Sequence, residues 1–296
     1  MLNFREPVKE DVPRLRENFE KYSTMGCDYN FANVYLWHKK YNIKICEKDG
    51  FLLKAYFKDD NTPWGYSFPT GEGDLKSIID EIFLDAKERN CKLVFTMLTE
   101  AQREKLIQLT GDNYSFEELT GDEDYIYTNY DLSTLPGKKY HSKRNHISKF
   151  NRNYPDWNFK LINKENMADA MYVVDEWCKN NNIDTSTYDE YFAIKEAFNN
   201  YEMFKFHGGI LYVDSTPVAM TMGAQININT FDVTFEKALT QYDGAYAKIN
   251  NEFAKTLVGF EFINREEDLG LESLRKSKLS YHPVVILKRY NGVRND

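Results

Sequence analysis

The sequence predicts a mixed α/β (α+β) protein made of two similar halves, on three observations. Apolar residues switch repeatedly between the three-and-four spacing of helices and the strict alternation of strands. Turn residues such as Lys48-Asp49-Gly50 and Asp214-Ser215-Thr216-Pro217 separate those runs at short intervals. Both halves then show the same order of elements: helix, helix, hairpin, strand, helix, strand, helix, strand. No residue-level repeat accompanies this match of elements. The chain of 296 residues, 42% apolar with 21 Tyr and 20 Phe, has enough apolar material for two ordinary cores.

Each element has its own warrant. Residues 7–22 form an amphipathic helix with acids in its first turn, and residues 30–39 an aromatic helix whose rings are core material. A hairpin occupies 42–47 and 51–57, followed by a strand at 64–68, a helix at 74–89, a strand at 91–97 and a helix at 99–109. The acidic stretch Glu117, Glu118, Asp122, Glu123 and Asp124 precedes a strand from Tyr125 to Tyr130. Leu135-Pro136-Gly137 opens a junction over residues 135–156, so the expected domains are 1–134 and 157–296. The second half runs through a strand at 157–163, helices at 165–180 and 187–200, and a hairpin at 204–213 and 217–226. A strand at 230–237, a helix at 245–258, a strand at 260–264, a helix at 270–280 and a strand at 284–290 complete it.

Composition excludes several classes. Cys27, Cys46, Cys91 and Cys178 are scattered without a C-x-x-C pair, and the five histidines lack metal-ligand spacing, so no metal is expected. The sequence has no run able to span a bilayer and no signal-peptide pattern, which points to the cytoplasm. Net charge is −8, but residues 1–137 carry 17 basic and 25 acidic side chains, whereas residues 138–296 carry 21 of each. A dedicated DNA binder would be far more basic. No nucleophile elbow, Walker loop or H-E-x-x-H motif is present.

The junction is the first informative stretch. Residues 138–152 carry six formal positive charges and no acid, with Lys139, Lys143 and Arg144 on one side of a helix and Lys149 and Arg152 spread around the rest. Such a segment either holds phosphates or faces the acidic first half as a solvated inter-domain helix.

The second lies near the end, where an apolar strand runs into Asn264-Arg265-Glu266-Glu267-Asp268-Leu269-Gly270. Leu274-Arg275-Lys276-Ser277-Lys278-Leu279-Ser280-Tyr281-His282-Pro283 follows on a helix whose apolar stripe turns cationic. Polar groups at the carboxyl end of a buried strand are where open sheets place ligands. Arg and Lys in a last helical turn also serve the helix dipole alone. These two motifs resemble the C-terminal end of the phosphatidylglycerol lysyltransferase catalytic-domain family, many of whose bacterial members stand alone. The resemblance implies two tandem GNAT-like (acyl-CoA N-acyltransferase-like) domains with mixed sheets flanked by helices, related to the Fem aminoacyltransferases. It also supports a binding role for the basic junction.

Within that frame Phe235-Glu236-Lys237-Ala238 resembles a family motif on a strand beside the central cleft. By its alternation alone the strand is half exposed, with Asp232, Thr234 and Glu236 on one face. Glu236 is the candidate general base, on the condition that burial raises its pKa. Gln241-Tyr242-Asp243-Gly244-Ala245-Tyr246 matches the Gln/Arg-x-x-Gly-x-Gly/Ala pyrophosphate loop of acyl-CoA-dependent acetyltransferases at Gln241 and Gly244. Tyr246 departs from it and obstructs that role. Tyr246, Asn250, Asn264, Glu266, Asp268 and Arg275 are candidate substrate-binding residues, and Arg265 and Lys278 candidate catalytic cations for an oxyanion or phosphate.

The leading expectation is an enzyme transferring an amino acid from aminoacyl-tRNA to an unidentified acceptor, with Lys139, Lys143, Arg144, Lys149 and Arg152 holding tRNA phosphates. The alternatives are an N-acyltransferase using acetyl-CoA or another acyl-CoA, and a non-enzymatic protein that keeps the cleft for a small ligand or a partner. No cofactor is required beyond the acyl donor.

Overall fold

Several helices begin where a capping side chain places them. The structure, a computed structural model, describes residues 1–295. α1 (Val12–Tyr22) and α2 (Phe31–Tyr41) precede the hairpin of β1 (Ile43–Lys48) and β2 (Phe51–Phe57). Next come β3 (Pro63–Tyr66), the two-residue β4 (Thr70–Gly71), α3 (Leu75–Glu88), β5 (Val94–Leu98), α4 (Glu100–Thr110) and β6 (Tyr114–Glu118). Asn30, Asp74 and Thr99 each accept a backbone N–H at the start of α2, α3 and α4, and Gln102 completes a capping box with Thr99.

β7 (Asp124–Thr128), α5 (Asn129–Thr134), α6 (His141–Asn153), β8 (Trp157–Leu161), α7 (Met167–Asn180) and α8 (Asp189–Asn199) follow. The chain continues through β9 (His207–Val213), β10 (Thr216–Gln225), β11 (Thr230–Ala238), α9 (Ala245–Ala254), β12 (Phe262–Asn264) and α10 (Glu272–Leu279). It ends with β13 (Val285–Leu287) and β14 (Tyr290–Arg294).

Two compact units result. The first comprises Met1–Asp124, Glu267–Glu272 and Ile286–Asp296; the second comprises Tyr125–Glu266 and Ser273–Val285. The division thus falls ten residues before the expected 134/135 boundary, and the junction helix α6 belongs wholly to the second unit. The first unit's sheet runs β1-β2-β3-β5-β14-β6, with β4 paired to β2. Its core gathers Phe51, Leu53, Ile79, Ile82, Phe95, Leu98 and Leu106. The second sheet runs β13-β7-β12-β11-β10-β9-β8. Both are mixed: β3 pairs parallel with β5 and β11 parallel with β12, the other recorded pairs being antiparallel.

Two expectations are corrected. The strand expected at 284–290 is two strands in different sheets, because Arg289 interrupts it. The Arg289 side chain is fully buried, and its Nη2 donates to Asp124 at 2.6 Å and pairs with Asp28 at 2.7 Å. A Cβ on Gly26 would lie 2.0 Å from that nitrogen, so the guanidinium needs a glycine beside it. The strand carrying Glu236 is not half exposed: β11 lies between β12 and β10 and is buried on both faces.

Candidate active site

β11 and β12 run in parallel, with Asp232 opposite Asn264, and β11 continues six residues further. The carboxyl ends of both strands therefore open on the same side of the sheet. Glu236 projects from β11 and Arg265 follows the last residue of β12. Their side chains are 10% and 14% exposed, and Arg265 Nη2 donates to Glu236 Oε1 at 2.8 Å. Burial alone works against the Arg265 charge, but Glu236 beside it brings its pKa above the usual value. Glu236 is thus held against a guanidinium. Its other oxygen, Oε2, has only a long 3.5 Å contact from Asn250 Nδ2 on α9.

Two buried polar atoms beside this pair lack a hydrogen-bond partner: Arg265 Nη1, a donor, and Asn250 Oδ1, an acceptor. Buried polar groups are nearly always satisfied, so this donor and acceptor beside one carboxylate are open to a ligand or a water. One turn before Asn250, the exposed Tyr246 Oη accepts from Trp177 Nε1 at 3.1 Å. On the opposite face of β11, Lys237 lies 4.2 Å from the Trp177 ring centroid and pairs with Glu190 at 2.8 Å. Sequence reasoning missed Trp177 and Glu190, which carry no motif, and gave no role to Lys237, although it stands in the quoted Phe235-Glu236-Lys237-Ala238.

Tyrosines line the other side. Arg265 lies 5.0 Å from the centroid of Tyr281 and 6.0 Å from that of Tyr127. Burial pushes the Tyr281 phenol up to about 12 and raises that of Tyr127. The ammonium of Lys143 sits 3.8 Å from the same Tyr281 centroid, and burial, with Arg265 nearby, lowers its pKa to about 8. Tyr281 belongs to the quoted C-terminal motif but had been given no role.

The remaining expected residues divide clearly. Lys278 is buried and donates to the carbonyls of Arg265 at 2.6 Å and Glu266 at 3.0 Å. Through these bonds it fixes the loop that carries Arg265. Asn264 accepts from the Glu266 N–H at 2.6 Å and shapes the same turn, in which Glu266 has φ +58°. Arg275 is half-buried on α10. Asp268 belongs to the first unit, where it accepts from the Gly270 N–H.

In the junction, Lys143 meets the Tyr281 ring and Arg144 donates to the carbonyls of Leu135 and Gly137 at 2.5 and 2.7 Å; both are half-buried. Lys139 pairs with Asp131 at 3.2 Å, Lys149 pairs with Asp243, and Arg152 is exposed.

The loop that resembles a pyrophosphate cradle is covered. A Cβ on Gly244, at φ +90°, would lie 2.6 Å from the His146 carbonyl of α6. Tyr154 Oη donates to the Gln241 carbonyl, and the N–H groups of Tyr242 and Ala245 are bonded to Leu239 and Tyr242. Gly244 serves helix packing here, and those amides are already spent.

In the first unit Cys27, Asp124 and Glu267 bring possible ligand atoms within 4.8 Å of one another, yet Arg289 supplies there the positive charge that a cation would bring. A cavity of about 270 Å³ between α1 and the β1–β2 turn is lined by charges already paired, among them Asp11 with Arg5 and Arg14 with Glu47. No helix of the described residues is long and apolar enough to cross a membrane.

A sequence model of the phosphatidylglycerol lysyltransferase C-terminal family matches residues 19–291. The chain belongs to this family. A Bacteroides thetaiotaomicron protein described as conserved and of unknown function is 36% identical, with a TM-score of 0.93 over 100% of both chains. L-PGS from Bacillus licheniformis shares the fold at 15% identity and TM-score 0.69, covering 99% of this chain and 93% of that one. FemX does so at 8% identity and TM-score 0.64, over 98% and 97%. An uncharacterised protein of Mycoplasmoides gallisepticum is 27% identical over 174 residues; the match covers 56% of this chain and spans about half, 54%, of that protein. The tandem GNAT-like fold of the family is the one seen here.

Proposed function

We propose that this protein is an acyltransferase that moves an amino acid from aminoacyl-tRNA to an acceptor bearing a hydroxyl or amine. The observation that carries the proposal is the orphaned pair, Arg265 Nη1 and Asn250 Oδ1, on either side of Glu236. An aminoacyl ester and its attacking acceptor offer what these atoms lack: a carbonyl oxygen for the guanidinium N–H and an N–H or O–H for the amide oxygen.

In this reading Asn250 and Tyr246 position the acceptor, and Glu236 Oε2, the less engaged oxygen, takes its proton as it attacks the ester carbonyl. Negative charge develops on the carbonyl oxygen against Arg265 Nη1. Collapse breaks the ester bond, and the proton on Glu236 passes to the departing ribose hydroxyl of the tRNA. General-base help is worth about 10²–10⁴-fold and a preorganised oxyanion donor about 10²–10³-fold. The ester is already activated, so positioning supplies most of the rest.

Lys139, Lys149 and Arg152 remain as phosphate contacts. Lys139 and Lys149 sit in exposed ion pairs worth about 0–1 kcal/mol, which a polyanion can displace. Acyl-CoA as donor is disfavoured by α6 over Gly244 and by the spent amides of that loop.

The test is filter binding of bulk aminoacylated tRNA at low and physiological salt, with release of the amino acid to added nucleophiles and acetyl-CoA binding measured in parallel. Salt-dependent binding of charged tRNA, with release lost in Glu236→Gln but binding kept, supports the proposal. Acetyl-CoA binding without tRNA binding would refute it, and binding of neither points to the ligand-binding alternative.

A further inference from the structure

Four elements of the second unit meet at the indole of Trp177. α7 carries Trp177, β11 brings Lys237, the start of α8 brings Tyr188 and Glu190, and the first turn of α9 brings Tyr246. Lys237 follows Glu236 along β11, so alternation turns it to the other face of the sheet. Its side chain is 10% exposed, with the ammonium 4.2 Å from the Trp177 ring centroid and 2.8 Å from Glu190 Oε1. The Tyr188 ring stacks beside the indole, 6.5 Å between centroids and 24° between planes, and its hydroxyl donates to Glu190 Oε2. A cation held over the ring by a carboxylate, together with the stacked phenol, fixes the orientation of the indole.

Packing alone accounts for an ion pair laid on a ring. It does not account for where the indole points. Trp177 Nε1 aims at Tyr246 Oη at 3.1 Å, and Tyr246 is 39% exposed. An indole N–H only donates, so the phenol oxygen accepts there and its one proton is directed elsewhere. No group among the described residues accepts that proton. Burial, with Glu236 and Glu190 nearby, raises the Tyr246 pKa, so the phenol keeps the proton at neutral pH. Asn250 stands one turn later on the same face of α9, and its Oδ1 has no partner. The two side chains thus offer an O–H donor and an amide oxygen to the position assigned above to the acceptor substrate.

We propose that Tyr246 binds the acceptor substrate by donating a hydrogen bond to one of its oxygens, and that Trp177 is the positioning residue that sets Tyr246 in that role. Lys237 and Glu190 act one step further back, by clamping the indole. The acceptor substrate therefore presents an oxygen lone pair, not an N–H or an ammonium, to Tyr246. The inference rests on the acceptor position proposed above and not on aminoacyl-tRNA as the donor.

The experiment follows the indole N–H signals of the four tryptophans by NMR of the isotopically labelled full chain, with Trp177→Phe assigning one of them. Tyr246→Phe removes the phenol oxygen, so the Trp177 signal is expected to move upfield towards an unbonded indole. Lys237→Met is expected to broaden that signal, and Lys237→Arg, which keeps a cation over the ring, to restore it. Transfer from aminoacylated tRNA to glycerol or glycinamide supplies the kinetic half. Tyr246→Phe raises the KM of the accepting nucleophile about tenfold and Trp177→Phe about threefold, with kcat held within about twofold. The double variant matches Tyr246→Phe alone, because Trp177 acts through the phenol. A Trp177 signal indifferent to Tyr246, additive losses in the double variant, or a fall in kcat at unchanged KM would overturn the inference. Transfer that survives both substitutions unchanged sinks this proposal alone. A Trp177 signal that depends on Tyr246, without transfer from tRNA, sinks only the donor assignment.

Discussion

Replacing Lys143 by methionine removes a charge that the native state holds at a cost, and the variant is expected to be more stable than the parent. The cost follows from the shift. An ordinary lysine pKa of 10.5 lowered to about 8 by burial and by Arg265 corresponds to about 3 kcal/mol at 1.36 kcal/mol per unit, which solvent screening of this half-buried ammonium cuts to about 1–2 kcal/mol. Losing the cation–π contact with Tyr281 returns about 0.5 kcal/mol, which leaves a net gain of about 1 kcal/mol. Because the native pKa lies below the unfolded one, the native state binds fewer protons than the unfolded chain between pH 8 and 10.5. Parental stability therefore rises with pH across that window, and the penalty is fully present below pH 8. Urea unfolding of both proteins at pH 7 and pH 10.5 reads the difference directly, since other groups titrate alike in the two. The advantage of the variant should be largest at pH 7 and lost by pH 10.5, where the missing ring contact turns it into a small deficit. A variant less stable at pH 7, or a gap that ignores pH, would refute the argument that the site stores strain in an unpaired cation.

Other substitutions separate chemistry from architecture. Glu236→Gln keeps the side-chain shape and is expected to lower transfer at least about 100-fold, while tRNA filter binding stays within about twofold. Arg289→Met strands Asp28 and Asp124 in the interior and should cost about 3–5 kcal/mol in chemical denaturation. Gly244→Ala forces a Cβ against the His146 carbonyl at a positive φ and is expected to cost about 1–3 kcal/mol, with faster hydrogen exchange in α6. Lys149→Ala with Arg152→Ala should reduce the slope of log affinity against log salt for tRNA by about 1–2, at equal thermal stability.

The hairpins and most helix spans were legible in the sequence because periodicity and turn chemistry are local signals, whereas the parallel pairing of β11 with β12 came only from the fold. Glu236 was named on a motif resemblance and Arg265 and Asn250 on their places after a strand and on the following helix, and the fold brings the three together. What escaped was set by partners distant in sequence. Lys278 looks like a surface cation on a helix, and only the fold shows that it is buried against two carbonyls thirteen and twelve residues earlier. Lys143 sits in a run of cations that reads as a phosphate surface, but the ring it meets is Tyr281, far along the chain. Arg289 splits what periodicity reads as one strand, since its acids lie at positions 28 and 124.

The placement of β7 and β14 bears on how the chain is made. β7, which by sequence closes the first half, belongs to the second sheet, and β14, from the last residues, lies between β5 and β6 of the first. A ribosome releasing this chain from its N-terminus has exposed β5 and β6 long before the strand that joins them exists. The first sheet is completed only when residues 290–294 emerge, so domain-by-domain maturation is blocked by the topology itself. Clipping the C-terminal ten residues should then not trim an edge but split a sheet through its interior, leaving two facing rows of unpaired backbone groups open to aggregation.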